Sequence, residues 1–165
     1  NRCPWDEYMC VSFATKRGDE VVVRALIEAG ADVNKAGGDG ATMLFFASHV
    51  GHEAVVRALM EAGADVNKTK DNNATPLYIA AQEGYETVVR ALIEAGADVN
   101  KAGDDGVSPL FIAAQEGLGA VLRTLIEAGA RGTGVMPLFI AAQIRFVALV
   151  RALIGAVITA FRRLL

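Results

Sequence analysis

The sequence has little cysteine, histidine and proline. Its 165 residues include two cysteines (Cys3 and Cys10), two histidines and four prolines. Two thiols exclude a disulfide-dense scaffold and a zinc site made of four thiolates, and two histidines add little metal-binding capacity. Because Cys3 and Cys10 lack the CxxC spacing and a nearby histidine, we interpret them as thiols or packed side chains, with a local disulfide as the alternative.

An excess of one charge and long apolar runs are also missing. The chain has 16 basic and 19 acidic residues, and its net charge of −3 is unlike that of a strongly basic nucleic-acid-binding protein. No uncharged apolar run reaches membrane-spanning length. With 53% apolar residues, the chain is long enough for one compact domain or one repeat array. The sequence leaves the compartment open, and we favour an intracellular location, cytoplasmic or organellar, over secretion.

Recognisable catalytic motifs are absent as well. Ser48 and His49 are adjacent, and neighbouring residues on a helix point in different directions, so they do not form a catalytic pair. The glycine-rich stretch 37–40 lacks the Lys-Ser/Thr ending of a phosphate-binding loop. We interpret His52 as a structural residue at a helix start. The sequence therefore predicts no enzyme activity, no cofactor, no metal site and no small-molecule substrate.

Glycine, in contrast, is abundant, and its 17 copies follow a regular pattern. A step of 33 residues separates Gly30, Gly63, Gly96 and Gly129, and also Gly18, Gly51, Gly84 and Gly117. The segment ALIEAGADVNKA occurs unchanged at Ala25–Ala36 and Ala91–Ala102. A period near 33 indicates a stacked solenoid whose units cannot bury their apolar faces alone.

The unit from Lys70 onward predicts two short helices and a loop. Thr75 suits an N-cap and Pro76 the first helical position. Gly84 and Gly96 suit the turns after each helix, because glycine takes a positive φ easily. We therefore predict helices at Leu77–Glu83 and Thr87–Glu94, an extended strand at Ala97–Asn100 and a hairpin-like loop at Lys101–Gly106.

These motifs resemble the ankyrin repeat. The resemblance rests on Thr75-Pro76-Leu77, Ala80-Ala81, Gly84 and Gly96-Ala97-Asp98-Val99-Asn100, and on Ser108-Pro109-Leu110 with Ala113-Ala114. It covers roughly Met9 to Ile154 and implies an all-α solenoid of about five helix-turn-helix repeats. Short β-hairpin-like loops and atypical terminal units complete this expected fold, whose expected role is binding other proteins.

The expected organisation is one domain over residues 1–165, with an N-terminal capping unit (1–34), three full repeats (35–133) and a divergent apolar unit (134–165). The first unit lacks Thr-Pro-Leu and carries Lys16-Arg17, which favours a wetter outer face. In the last unit Arg145 and Val157 replace the two glycines. A helix that starts near Leu149 is therefore expected to continue to about Arg163, with one continuous helix from Leu138 as the weaker alternative.

A periodic series of aromatic residues departs from the family pattern. Aromatic residues stand where the family usually has histidine, and we expect them to pack within or between repeats rather than to stack on bases. They are Phe45, Tyr78, Phe111 and Phe139.

Four arginines also recur at the step of 33 residues, and each precedes a glutamate by four residues. They are Arg24, Arg57, Arg90 and Arg123. They predict a salt-bridged, solvated face, with binding of nucleic acid or anionic lipid as the weaker alternative.

The resemblance places partner contacts on a concave face made of loop tips and first helices. The corresponding residues are Asp39, Ala41, His49, Val50, Asp71, Asn72, Ala74, Gln82, Glu83, Asp104, Asp105, Val107, Gln115 and Glu116. Acidic and amide groups dominate, so we expect a partner surface rich in Lys or Arg. Against this, Gln-Glu is identical in two units, which also fits recent duplication without a selected partner.

The C-terminal residues offer a competing site. Residues 134–165 carry +4, which leaves −7 for residues 1–133. Their apolar residues predict an anchor for a partner, a second copy or an anionic membrane surface. The alternative is that further repeats follow residue 165 and cover this apolar face. The anchor residues are Phe146, Leu149, Val150, Leu153, Ile154, Val157, Ile158 and Phe161.

The sequence thus predicts a non-catalytic scaffold or adapter, docked as a subunit in a large or membrane-associated complex. An inhibitor that occludes a partner enzyme, a membrane-surface adapter and an engineered consensus array remain as alternatives. No nucleic-acid partner is expected.

Overall fold

The computed structural model describes residues 7–131, which form eight α-helices arranged as four antiparallel pairs. The helices are α1 (Glu7–Arg17), α2 (Glu20–Glu28), α3 (Met43–Val50), α4 (Glu53–Glu61), α5 (Pro76–Glu83), α6 (Glu86–Glu94), α7 (Pro109–Gln115) and α8 (Gly119–Glu127). The first helices of successive pairs pack in one row, and the second helices pack in a parallel row. The predicted all-α solenoid is confirmed.

Each first helix from α3 onward begins at a hydroxyl N-cap. The side-chain oxygens of Thr42, Thr75 and Ser108 accept hydrogen bonds from backbone N–H groups three residues on, at 3.2, 3.0 and 3.2 Å. Pro76 and Pro109 follow two of these caps at the first helical position, whereas Met43 takes that position in α3. The hydroxyl cap is therefore common to all three helices, and the proline is not needed for α3 to begin.

Replacing Thr75 by alanine is expected to lower the free energy of unfolding by about 1 kcal/mol, because the N–H of Tyr78 loses its acceptor at a site that is 1% exposed. Thr75→Ser is the matched control, since Ser108 makes the same bond in the next unit. Urea denaturation measures both variants. Equal losses for serine and alanine would contradict the capping role.

Every glycine of the two periodic series within the described residues has a positive φ, between 70° and 94°. Gly51 and Gly84 end α3 and α5 in the left-handed conformation. These turns, which the sequence predicted, reverse the chain between the helices of a pair.

The predicted strand at Ala97–Asn100 is wrong, because Ala97 and Asp98 have no regular structure and Val99 and Asn100 form a turn. The carboxylate of Asp98 accepts the backbone N–H of Asn100 at 2.9 Å, which bends the chain. The two earlier units make the same bond, from Asn34 to Asp32 and from Asn67 to Asp65. Among residues 7–131 the β-structure is limited to an isolated antiparallel bridge between Ala36 and Thr42.

The asparagines that end these turns join successive units. Asn34 donates its side-chain amide to the carbonyl of Gly63 and accepts the N–H of Asp65, at 3.0 and 2.7 Å. Asn67 repeats both bonds one unit later, to Gly96 and Asp98. A side chain from one unit thus satisfies backbone groups at the end of the next second helix.

The core lies between the two rows of helices. Its largest fully buried side chains are Met43, Leu44, Leu59, Leu77, Leu92, Leu122, Leu125, Val23, Val55, Val56, Val88 and Val89. The first unit contributes Val23 to this set.

The outer surface of the first unit is less polar than expected. Phe13 and Val21 are 64% and 81% exposed, so its outer surface is apolar as well as charged. The boundaries predicted for the domain and its units stay predictions.

Candidate functional site

Three loops project from the helix pairs, and each is closed at its base like a hairpin. We call residues 37–41, 70–74 and 103–107 the first, second and third fingers. The backbone bonds that close them are Gly37 N to Ala41 O, Lys70 N to Ala74 O and Gly103 N to Val107 O, at 2.9, 3.0 and 3.1 Å. Two more bonds link neighbouring fingers, from Asp71 N to Asp39 O and from Asp104 N to Asn72 O, both at 3.1 Å. The fingers are therefore fixed to each other through their backbone.

The acidic and amide side chains predicted for the binding face lie exposed on these fingers. They are Asp39, Asp71, Asn72, Asp104 and Asp105. Ala41 and Ala74, however, are 0% and 4% exposed. Both pack against Phe45 in a buried cluster, so a partner cannot reach them, and their place in the predicted contact set is wrong. Val107 is half-buried.

The first helices bring the remaining predicted residues to their C-terminal ends. His49, Glu83, Gln115 and Glu116 are exposed there, and Val50 and Gln82 are half-buried. The Nε2 of His49 lies 3.8 Å from the Oε1 of Glu83 on the next first helix. Neighbouring units therefore bring these two polar groups together.

A lysine occupies the groove between the first and second fingers. The Nζ of Lys70 lies 3.1 Å from Asp39 Oδ2 and 5.8 Å from the centre of the Phe45 ring. The hydrogen bond from Lys70 is the main cause that lowers the pKa of Asp39 below its ordinary value, and the N–H of Ala41 adds to it. The expected packing of Phe45 between repeats is confirmed, since it contacts Ala74 of the second finger.

Lys70→Gln is expected to raise the pKa of Asp39 toward its ordinary value, because the strongest stabiliser of the carboxylate is lost. A lowered pKa in the folded state stabilises the protein above the unfolded-state value, and that contribution is lost as the pH falls through the folded-state value. An NMR titration of the Asp39 carboxyl carbon measures the shift. Lys101→Gln is the control, because Lys101 donates to the carbonyl of Asn67. An unchanged Asp39 pKa after Lys70→Gln would assign the effect to Ala41 alone.

The groove between the second and third fingers contains an open cleft of about 160 Å³. Its lining residues are Asn72, Ala74, Tyr78, Gly103, Asp104 and Asp105. Burial, followed by the charge of Asp105, raises the pKa of Tyr78. Asp104 Oδ1 accepts from Asn73 Nδ2 at 2.5 Å, and Asp105 Oδ1 accepts from Val107 N at 3.0 Å.

The sequence predicts contact roles for Asn72, Ala74, Asp104 and Asp105, but not the cleft that they line. Tyr78 is expected only to pack, and Gly103 has no predicted role. The signal was present in the register, because Gly103 lies 33 residues after Lys70. Asn73 was missed in the same way. It has a φ of 57° at the place of Gly40 and Gly106, and asparagine is one of the few residues that tolerate this conformation.

Three of the four periodic arginines form a salt-bridged face on the second helices, but their predicted glutamate partners within each helix were wrong, and Arg123 has Gly119 four residues before it. Arg24, Arg57 and Arg90 bind the glutamate four residues before them, at 2.8, 3.0 and 2.7 Å. Glutamate on the N-terminal side is the better orientation for such a pair. Arg24 and Arg57 also reach the next unit, at Glu61 (2.9 Å) and Glu94 (3.8 Å). These exposed pairs stabilise little.

The residues considered for chemistry have structural roles. Ser48 is buried, and its hydroxyl donates to the carbonyl of Leu44 at 2.7 Å. His52 is the N-cap residue of α4, and its Nε2 lies 3.2 Å from the Lys16 carbonyl of the preceding unit. Within residues 7–131 no group of three or more His, Cys, Asp or Glu side chains could hold a metal ion. No helix in that part of the chain is both long and apolar enough to cross a membrane.

The proposed C-terminal anchor lies outside the described residues. This applies to Phe146, Leu149, Val150, Leu153, Ile154, Val157, Ile158 and Phe161, as well as to Phe139, the arginines of residues 134–165 and the Leu149–Arg163 helix. Cys3 lies outside them too, whereas Cys10 is half-buried in α1. The anchor and the state of the two cysteines stay predictions.

A family model described as ankyrin repeats, in three copies, matches residues 11–103. No curated protein matches the chain.

Proposed function

Because this chain belongs to the ankyrin repeat family, we propose that it is a non-catalytic adapter that holds a partner protein on its finger face. We define the finger face as the three fingers together with the C-terminal ends of α3, α5 and α7. Ankyrin repeats generally mediate protein–protein interaction. The partner surface that fits this face carries lysine or arginine.

One observation carries the proposal. The exposed carboxylates of the fingers are held in a fixed row by the backbone bonds that link Asp71 to Asp39 and Asp104 to Asn72. A pre-formed row lowers the ordering cost of association, because the loops do not have to be fixed when the partner arrives. Complementary charge then favours a basic partner and speeds its association.

The pattern of ion pairs favours the finger face over the arginine face of the second helices as the partner-binding surface. Arg24, Arg57 and Arg90 already have glutamate partners, so their charge is neutralised locally. Among the described residues, the ion pair of a finger carboxylate with a basic side chain is that of Asp39 with Lys70, and Asp105 accepts the backbone N–H of Val107. An excess of negative charge is therefore left for a partner on the finger face.

Crosslinking mass spectrometry on the full chain in its native source tests the proposal. We expect crosslinks between the finger face and one recurrent basic protein. The triple variant Asp71→Asn, Asp104→Asn, Asp105→Asn should weaken capture of that protein about tenfold, as expected for the loss of three exposed ion pairs, with the fold unchanged. The matched control, Glu28→Gln, Glu94→Gln, Glu127→Gln, removes the same charge from the second helices and should leave capture intact.

Equal loss of capture in the two triple variants would contradict a specific role for the finger face, because only net charge would then matter. Crosslinks confined to residues 134–165 would move the main contact to the predicted C-terminal anchor. If the captured protein is an enzyme, an activity assay with and without this chain separates an adapter from an inhibitor.

A further inference from the structure

The two finger grooves have the same construction, one repeat apart, but only one of them is filled. Tyr78, Asn72 and Gly103 of the second groove lie 33 residues after Phe45, Asp39 and Lys70 of the first. In the first groove the Lys70 ammonium lies above the Phe45 ring and 3.1 Å from the carboxylate of Asp39. In the second groove glycine replaces that lysine, and the cleft of about 160 Å³ lies beside it.

The unfilled cleft keeps an aromatic ring, and although Asn72 replaces the carboxylate of Asp39, the third finger supplies other carboxylates that attract an ammonium ion. Tyr78 provides an aromatic ring at the place of Phe45, and aromatic faces attract cations. Asp104 and Asp105 line the cleft from the third finger, so it contains two carboxylates where the first groove pairs Lys70 with one. No basic side chain is among its lining residues. Burial, followed by the charge of Asp105, raises the pKa of Tyr78 above its ordinary value.

We propose that this cleft binds a lysine side chain of the partner protein, which takes the place that Lys70 fills in the first groove. The proposal rests on the proposed function, because it identifies the part of the partner that the finger face recognises. The occupant is a lysine because the groove one repeat earlier already accommodates that side chain. A metal ion is a poorer occupant, because no group of three ligating side chains exists within the described residues.

A small probe tests the cleft independently of any partner. The full chain, labelled with ¹⁵N, is titrated with Nα-acetyl-lysine methylamide, which carries a free ammonium. We expect saturating shifts at the amides of Tyr78, Gly103, Asp104 and Asp105, and none at Phe45 or Lys70, since that groove is filled. The same probe acetylated on its ε-nitrogen is neutral and should cause no shifts. Equal shifts with both probes would overturn the proposal.

Two variants test whether the groove correspondence is real. Gly103→Lys should abolish probe binding, because the new side chain fills the cleft from the same position as Lys70. Its Cβ would lie 3.1 Å from Asp105 Oδ1, so a small movement of that carboxylate is enough to accept it. Lys70→Gly should open the first groove and add shifts at Asp39 and Phe45. Unchanged binding in Gly103→Lys, or no new site in Lys70→Gly, would overturn the proposal.

Two further measurements test the role of the Asp105 charge and the preference of the cleft for lysine over arginine. Asp105→Asn, which retains the oxygen that accepts from Val107, should weaken probe binding about two- to fivefold, as expected for one exposed ion pair. The arginine analogue of the probe should bind more weakly than the lysine probe, and tighter binding would overturn the assignment to lysine. If the crosslinked partner persists while the probe fails to bind, the cleft proposal fails and the adapter function stands. If the probe binds but no partner is captured, the adapter function fails and the ammonium site stands.

Discussion

Replacing Leu92 by alanine is expected to lower the free energy of unfolding by about 2–5 kcal/mol, the range for removing a large aliphatic side chain from a packed core. Leu92 is 0% exposed in α6. This helix packs against α4 on one side and α8 on the other. The lost side chain therefore leaves a cavity that neighbouring units cannot easily close. Urea denaturation followed by circular dichroism measures the loss.

The chain contains a matched control for this substitution. Leu26 occupies the same place in an identical twelve-residue segment, Ala25–Ala36 against Ala91–Ala102. It is half-buried, because α2 packs against α4 but has no second-helix neighbour on its other side within residues 7–131. Leu26→Ala should therefore cost clearly less than Leu92→Ala. Equal costs would show that burial within one helix pair, not stacking between units, sets the stability.

The second large effect is expected for Gly51→Ala, with a loss of about 2–5 kcal/mol in the free energy of unfolding. Gly51 ends α3 with a φ of 76°, and an added Cβ would lie 2.6 Å from Cδ1 and Cε1 of Tyr85 in the next unit. The left-handed conformation costs an L-residue about 1–2 kcal/mol. Overpacking against the tyrosine ring adds about 1–3 kcal/mol. Thermal and urea denaturation both measure the change.

Two other glycines separate these causes. Gly63 has a φ of 86° with no atom near an added Cβ, so Gly63→Ala should show the conformational cost alone. Gly119 lacks a positive φ and also has open space around it. Gly119→Ala should therefore be neutral or stabilise the protein by about 0.4–1 kcal/mol. If Gly51→Ala costs no more than Gly63→Ala, Tyr85 moves aside freely and the units are less tightly packed than the structure indicates.

Much of the fold could be predicted because its signals are local. The N-caps, the prolines and the two glycine series each act within one turn of backbone, and they place the helix boundaries within a residue or so for α5 and α6. The prediction of a strand at Ala97–Asn100 was wrong for a local reason too. The Asp98 carboxylate captures the N–H of Asn100, and this side-chain bond competes with extended backbone.

The candidate site was harder to predict, since exposure and pairing depend on residues one repeat away. Ala41 and Ala74 follow the same period as the exposed aspartates, yet both are covered by Phe45. Arg24 and Arg57 precede the glutamates expected to bind them but pair with others. The cleft beside Tyr78 exists because one register position holds a lysine in one unit and a glycine in the next.

The sequence by itself determined the repeat period, the helix-turn-helix order and the positive-φ turns, because each depends on residue types that constrain their own backbone. The tertiary structure alone decided which copies of an identical segment are buried, which carboxylate each arginine binds and where the finger face is open. These properties arise between stacked units. There, the length of one side chain decides whether a groove is filled from within or left open for another molecule.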